Sequence, residues 1–128
     1  ETALPKGLVM VDKDGAARSQ VRVRWWLDEL NKRPIHEIAR ATKSDLAQIP
    51  NDAMAENIEF ALKTHKPVFV GHYWLTGNPE PLSNQVVCTD YSAAIDSGYM
   101  TCYQLDTEQP LPLKASNFVQ YRHDEGLL

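Results

Sequence analysis

The stretch Lys66-Pro67-Val68-Phe69-Val70-Gly71-His72-Tyr73-Trp74 constrains this chain more than any other. Pro67 lacks the amide hydrogen that a helix interior needs, so it stops any helix that reaches it. Val68-Phe69-Val70 is then an unbroken apolar run, the pattern of a strand buried on both faces. Gly71-His72 ends the run with a residue that turns freely, followed by an imidazole just beyond the strand's C-terminal end, where open α/β sheets hold their ligands. A helix end, a strand and a turn in that order predict an α/β (α+β) chain.

The segments on either side fill in that class. Leu8 to Val11 and Val21 to Arg24 read as a β-hairpin around the turn Asp12-Lys13-Asp14-Gly15, with Trp25-Trp26 closing the second strand. Adjacent strand residues point to opposite faces, so at least one of the two indoles is expected to be buried. Pro34 fits only the first turn of a helix from Ile35 to about Ala41, which leaves short helices between Leu27 and Gln48. A better specified helix is expected next. Asn51 or Asp52 can cap it, and Glu56 lies in its early turns. Ala55, Ile58, Ala61 and Leu62 mark its apolar face, with Lys63, His65 and Lys66 at its negative pole.

Past His72, Gly77-Asn78-Pro79 and Pro81 mark a loop from Tyr73 to Ser83. Gln85 to Tyr91 and Tyr99 to Leu105 read as a hairpin turning at Asp96-Ser97-Gly98, followed by a strand over Asn117 to Tyr121 and a polar tail from His123. With no repeat, low-complexity tract or linker, residues 1–128 read as a single domain or fragment. Glu1 in place of Met suggests a trimmed or processed piece.

Charge and cysteine content narrow the partners. Charged residues make up 23% with both signs interleaved and a net charge of −4. Such a surface has no cationic field to gather phosphate backbones, so nucleic acid is excluded as an expected partner. No apolar run approaches the roughly 18 residues of a membrane span, and no membrane association is expected. Cys88 and Cys102 have neither CxxC spacing nor a Cys/His knot around them, and read as buried free thiols in a reducing cytoplasm.

His72 carries the chemistry. From its position alone it is either a metal ligand or a structural histidine with a hydrogen-bond partner. His36, His65 and His123 read as solvated, with His65 at a helix terminus and His123 in the tail.

Pro67 to Trp74 resembles the late Gly-His motif of calcineurin-like metallophosphoesterases, the superfamily of bacterial serine/threonine-type protein phosphatases and symmetrical dinucleoside tetraphosphatases. The flanks Leu4-Pro5-Lys6-Gly7, Asp12-Lys13-Asp14-Gly15, Arg22-Val23-Arg24-Trp25-Trp26 and Asn84 to Ser92 extend the resemblance from about Glu1 to Tyr121. It implies the C-terminal half of a layered α/β/β/α sandwich, with a mixed or mainly antiparallel sheet and helices on one face.

It also implies a binuclear centre of divalent ions (Mn, Fe, Zn or Mg) in the intact parent, with His72 as one ligand. Gly71, Tyr73 and Asp90 would support the loop, although Asp90 reads equally as a structural carboxylate. The implied partners are the N-terminal half of the parent and a phosphoester substrate, phosphoprotein or dinucleoside polyphosphate, with self-association through exposed apolar surface as a further expectation. The family's Asp-x-His, Gly-Asp-x-x-Asp and Gly-Asn-His motifs do not occur in the chain, and Trp74 stands where some members have a second histidine in Gly-His-x-His. By itself the chain is therefore expected to be inactive and to hold no metal tightly. The rival readings are a binding or regulatory module displaying Trp25, Trp26, Tyr73 and Trp74, and a proteolytic remnant.

Overall fold

The computed structural model describes residues 1–55, 58 and 60–122. They divide into two compact units, Glu1–Lys63 and Thr64–Leu128.

The first unit is built from short pieces. Strand β1 (Thr2–Ala3) pairs antiparallel with β4 (Gln20–Val21), and β2 (Met10–Val11) with β3 (Ala17–Arg18). The expected turn at Asp12 forms, but it returns the chain sooner than the apolar pattern suggests. Asp12 Oδ1 accepts the amides of Asp14 at 3.0 Å and Ala16 at 2.9 Å, and Oδ2 receives Arg18 Nε at 2.9 Å. Gly15 completes the turn at φ 79°. Those bonds hold the Asp12 carboxyl below the usual carboxylate range, the Ala16 amide contributing most. Ala17 and Arg18 thus take the place expected for Val21 to Arg24. Val21 pairs with Thr2, and the Arg24 amide donates to the Ile38 carbonyl at 2.7 Å.

Trp25 and Trp26 consequently lie in a turn, not a strand. Their rings pack edge to face at 5.6 Å, and Trp25 also meets Phe60 at 6.1 Å. Both are half-buried, so neither is the buried indole expected.

Three helical turns follow: a 3-10 turn at Leu30–Lys32, α1 (Ile35–Ile38) and α2 (Lys43–Leu46). Pro34 precedes α1 as its geometry requires. The helix stops before Ala41 because Ala39 is extended and the Arg40 amide donates to the Arg22 carbonyl. Helix α2 opens on a capping box, with Thr42 and Asp45 each accepting the other's amide. Leu4, Met10, Val21, Ile35, Ala39 and Ile49 form the core of this unit.

The helix expected from Asn51 through Leu62 is absent among the described residues. The Ala53 carbonyl accepts the Ile35 amide at 2.8 Å and Met54 bridges to Pro34, so Ala53 and Met54 pair with α1's entry. Ala53 and Ala55 still pack on the core, from an extended backbone. Residues 60–65 have no regular structure, which removes the helix terminus expected at His65. Glu56, Asn57, Glu59 and the tail from His123 lie outside the described residues.

The second unit has longer strands. β5 (Val68–Val70) pairs in parallel with β6 (Val86–Cys88), while β7 (Asp90–Tyr91), β8 (Tyr99–Tyr103) and β9 (Phe118–Arg122) form an antiparallel sheet in that order. The single strand expected from Gln85 to Tyr91 is broken at Thr89, whose amide donates back to Val70 at 3.0 Å, so β6 serves one sheet and β7 the other. β6 is wholly buried. β5 is not the doubly buried strand its composition suggests: it has β6 on one side only, and Phe69 is 45% exposed.

Phe69, Tyr103, Phe118 and Tyr91 form a chain of ring contacts at 5.7, 5.0 and 6.4 Å. Both cysteines are free. Cys88 is buried in β6, but Cys102 sits on the outward side of β8 and is exposed, against expectation.

The fold is thus a small mixed α/β one with few helices and several small, mostly antiparallel sheets. No helix among the described residues is long and apolar enough to cross a membrane.

Candidate functional site

His72 emerges directly from the C-terminal end of β5 and is exposed. Its backbone lies in the left-handed region at φ 69°, and so does that of Trp74 at φ 50°. Side chains with a Cβ reach this region at a cost of about 1–2 kcal/mol each, and such residues gather where a site dictates the backbone. Tyr73 sits half-buried between them. The neighbouring Gly71 has no positive φ, and a methyl built on it would meet only the Asp90 Cβ at 3.9 Å. The unusual turn is made by the histidine, not the glycine.

Asp90, at the start of β7, is what holds this turn. Its Oδ2 accepts the Trp74 amide at 3.4 Å and its Oδ1 the Ser92 amide at 3.1 Å, while its own carbonyl accepts the Leu75 amide at 2.9 Å. Both Asp90 side-chain oxygens are thus engaged by backbone amides. Ser92 has a left-handed backbone at φ 60°, and its hydroxyl donates to the Leu75 carbonyl at 3.1 Å. Leu75 is therefore tied to β7 and its end through both its N–H and its C=O.

Farther along the loop, Tyr91 Oη accepts the Glu80 amide at 3.1 Å. Burial pushes the Tyr91 phenol above its ordinary value, and the Glu80 bond opposes that rise.

Ser92 and Tyr91 were not singled out from the sequence. The signal for Ser92 was local: an aspartate accepting the amide two residues on is ordinary Asx-turn chemistry. Tyr91 carried no such signal, since its contact with Glu80 spans eleven residues.

The other histidines stand apart. His36 is not solvated as expected: its ring Nε2 donates to the Ile49 carbonyl at 2.7 Å, joining α1 to the segment after α2. Among the described residues no three His, Cys, Asp or Glu side chains come together as a set able to hold a metal ion. His72 offers one exposed imidazole, and both oxygens of Asp90 already accept backbone amides.

Compared with known protein families, curated proteins and solved structures, the chain matches none of them.

Proposed function

We propose that the chain is the C-terminal part of a metal-dependent phosphoesterase and that His72 is one of its metal ligands. The observation that supports this is the backbone of His72: a non-glycine residue in the left-handed region, at the end of a parallel strand, exposed, and in a loop fastened by Asp90 and Ser92. Strain of this kind persists where surrounding contacts over-determine it, and a presented imidazole is a common metal ligand. On this reading the layered half-sandwich is completed by an upstream half that supplies the remaining ligands.

The metal pair, when bound, polarises the phosphoester and supplies an activated oxygen nucleophile. This chain's part is to present the His72 imidazole just past the end of β5. Asp90 acts through the backbone by pinning the amide of Trp74, two residues past His72.

The test uses the longer polypeptide carrying the upstream half. His72→Ala should lower turnover of a phosphate monoester with Mn²⁺ by orders of magnitude and reduce bound metal by mass spectrometry, with the circular dichroism unchanged. Full turnover at full metal occupancy in the variant would remove the role assigned to His72.

A further inference from the structure

We propose that Trp74 is a stacking platform for a flat aromatic ring carried by the phosphoester, either a nucleobase or an aryl group. The inference rests on the phosphoesterase reading above and names the substrate feature that the same loop selects. At 73% exposure, Trp74 is the most exposed of the large apolar side chains described. Placing an indole in water forgoes the burial that normally justifies a tryptophan. Other aromatic residues of the chain have ring partners: Phe69 leans on Tyr103, and Trp25 on Trp26 and Phe60. Trp74 has none among the described residues.

Its backbone, by contrast, is tethered. The Trp74 amide is bound by Asp90, and the next residue, Leu75, is bonded through both its N–H and its C=O. A large rigid ring with two rotatable bonds on an anchored backbone loses little entropy when a ligand covers it. A single indole offers one flat face, which a planar ring covers fully and a branched aliphatic chain only touches.

The ring also stands in the right place. Two residues of extended chain span at most about 7 Å, so the roots of His72 and Trp74 lie within the reach between a phosphate and a ring joined to it directly or through a sugar. The imidazole marks the phosphate end and the indole the ring end.

The experiment compares the metal-loaded longer polypeptide with its Trp74→Leu and Trp74→Phe variants on adenosine monophosphate, phenyl phosphate and glycerol 2-phosphate. Stacking of this kind corresponds to about a 5- to 150-fold change in affinity. KM for the ring-bearing esters should rise by that factor in Trp74→Leu and by less in Trp74→Phe, with glycerol phosphate unchanged. A larger effect on the adenosine ester identifies a nucleobase site, and a larger effect on the phenyl ester an aryl site. An equal change on all three esters, or none on any, overturns the proposal.

If no ester is hydrolysed, the phosphoesterase reading fails, and a tryptophan fluorescence titration of the 128-residue chain with adenosine monophosphate decides the ring site. Quenching that Trp74→Leu abolishes supports a platform at Trp74. Quenching that survives the substitution, or its absence in the unaltered chain, overturns it.

Discussion

The two units use different means to hold their backbones. In Glu1–Lys63, two-residue strands and four-residue helices are too short to be stable by themselves, and they gather around one apolar cluster centred on Ile35 and Ala39. In Thr64–Leu128, strands of two to five residues run in clear register, and the irregular backbone is fixed by side-chain hydrogen bonds from Asp90, Ser92 and Tyr91. Of the four described non-glycine residues with positive φ, three, His72, Trp74 and Ser92, belong to the second unit. A core of aliphatic side chains tolerates approximate backbone geometry, whereas polar bonds to single amides do not. The second unit is accordingly where the chain fixes irregular backbone residue by residue.

The largest expected effect breaks the first unit. Ile35 has no exposed surface, and Ile35→Ala should cost about 2–5 kcal/mol through lost burial and the cavity left behind. Amide hydrogen exchange should quicken from Glu1 to Ala55 while β6 and β8 keep their protection. Equal loss in both units would mean that the division describes geometry and not cooperativity.

Gly98→Ala is the counterpart in the second unit. An added Cβ would lie 1.7 Å from the Ser92 carbonyl oxygen and 2.4 Å from its carbon. Both are backbone atoms, so the β7–β8 turn must open, at about 1–3 kcal/mol or more. Denaturant titration followed at Tyr91 and Tyr99 by NMR should show it, with the core around Ile35 undisturbed.

Asp90→Ala is expected to be milder and more local. It leaves the Trp74 and Ser92 amides without their acceptor, at about 1–3 kcal/mol for whichever is kept from water. NMR order parameters should fall from His72 to Leu75 and stay constant in β8. Unchanged order in that loop would show that Asp90 does not hold it.

How much of this was legible follows from where the polar contacts run. Strand β5 and the β7–β8 hairpin could be read because Pro67, Gly71 and Gly98 punctuate short apolar runs within a few residues. The Asn51 to Leu62 segment could not. Ala55, Ile58, Ala61 and Leu62 have helical spacing, but backbone pairing with Pro34 and Ile35, some twenty residues away, takes precedence over it. Likewise, the hairpin at Asp12 was visible, but its register was set by which amides the Asp12 carboxylate accepts, which an apolar pattern does not encode. At the site, His72 and Asp90 were visible as residue types. The freedom to turn was read from Gly71, whereas the left-handed backbone belongs to His72 and Trp74.

Gly71→Ala places a methyl at ordinary contact distance on a backbone that accepts it, so stability should change by no more than about 0.5 kcal/mol in a thermal melt. A loss several times larger would return the turn to the glycine and remove the contrast drawn with His72.

One side chain ahead of β6 has a consequence for how the chain can vary in length. Gln85 donates its side-chain amide to the carbonyls of both Thr64 and Lys66, so both amide hydrogens are committed to the stretch just before β5. The count of residues from Lys66 to His72 is thereby fixed at one end by Gln85 and at the other by the Thr89 amide on Val70. Removing a residue in this interval would present a different side chain at the strand's end, on the opposite face, even if every remaining residue kept its identity. Between Gly77 and Glu80, before the Tyr91 anchor, no such count is imposed. Homologous chains can therefore differ in length there, while the spacing from Lys66 to His72 behaves as a ruler.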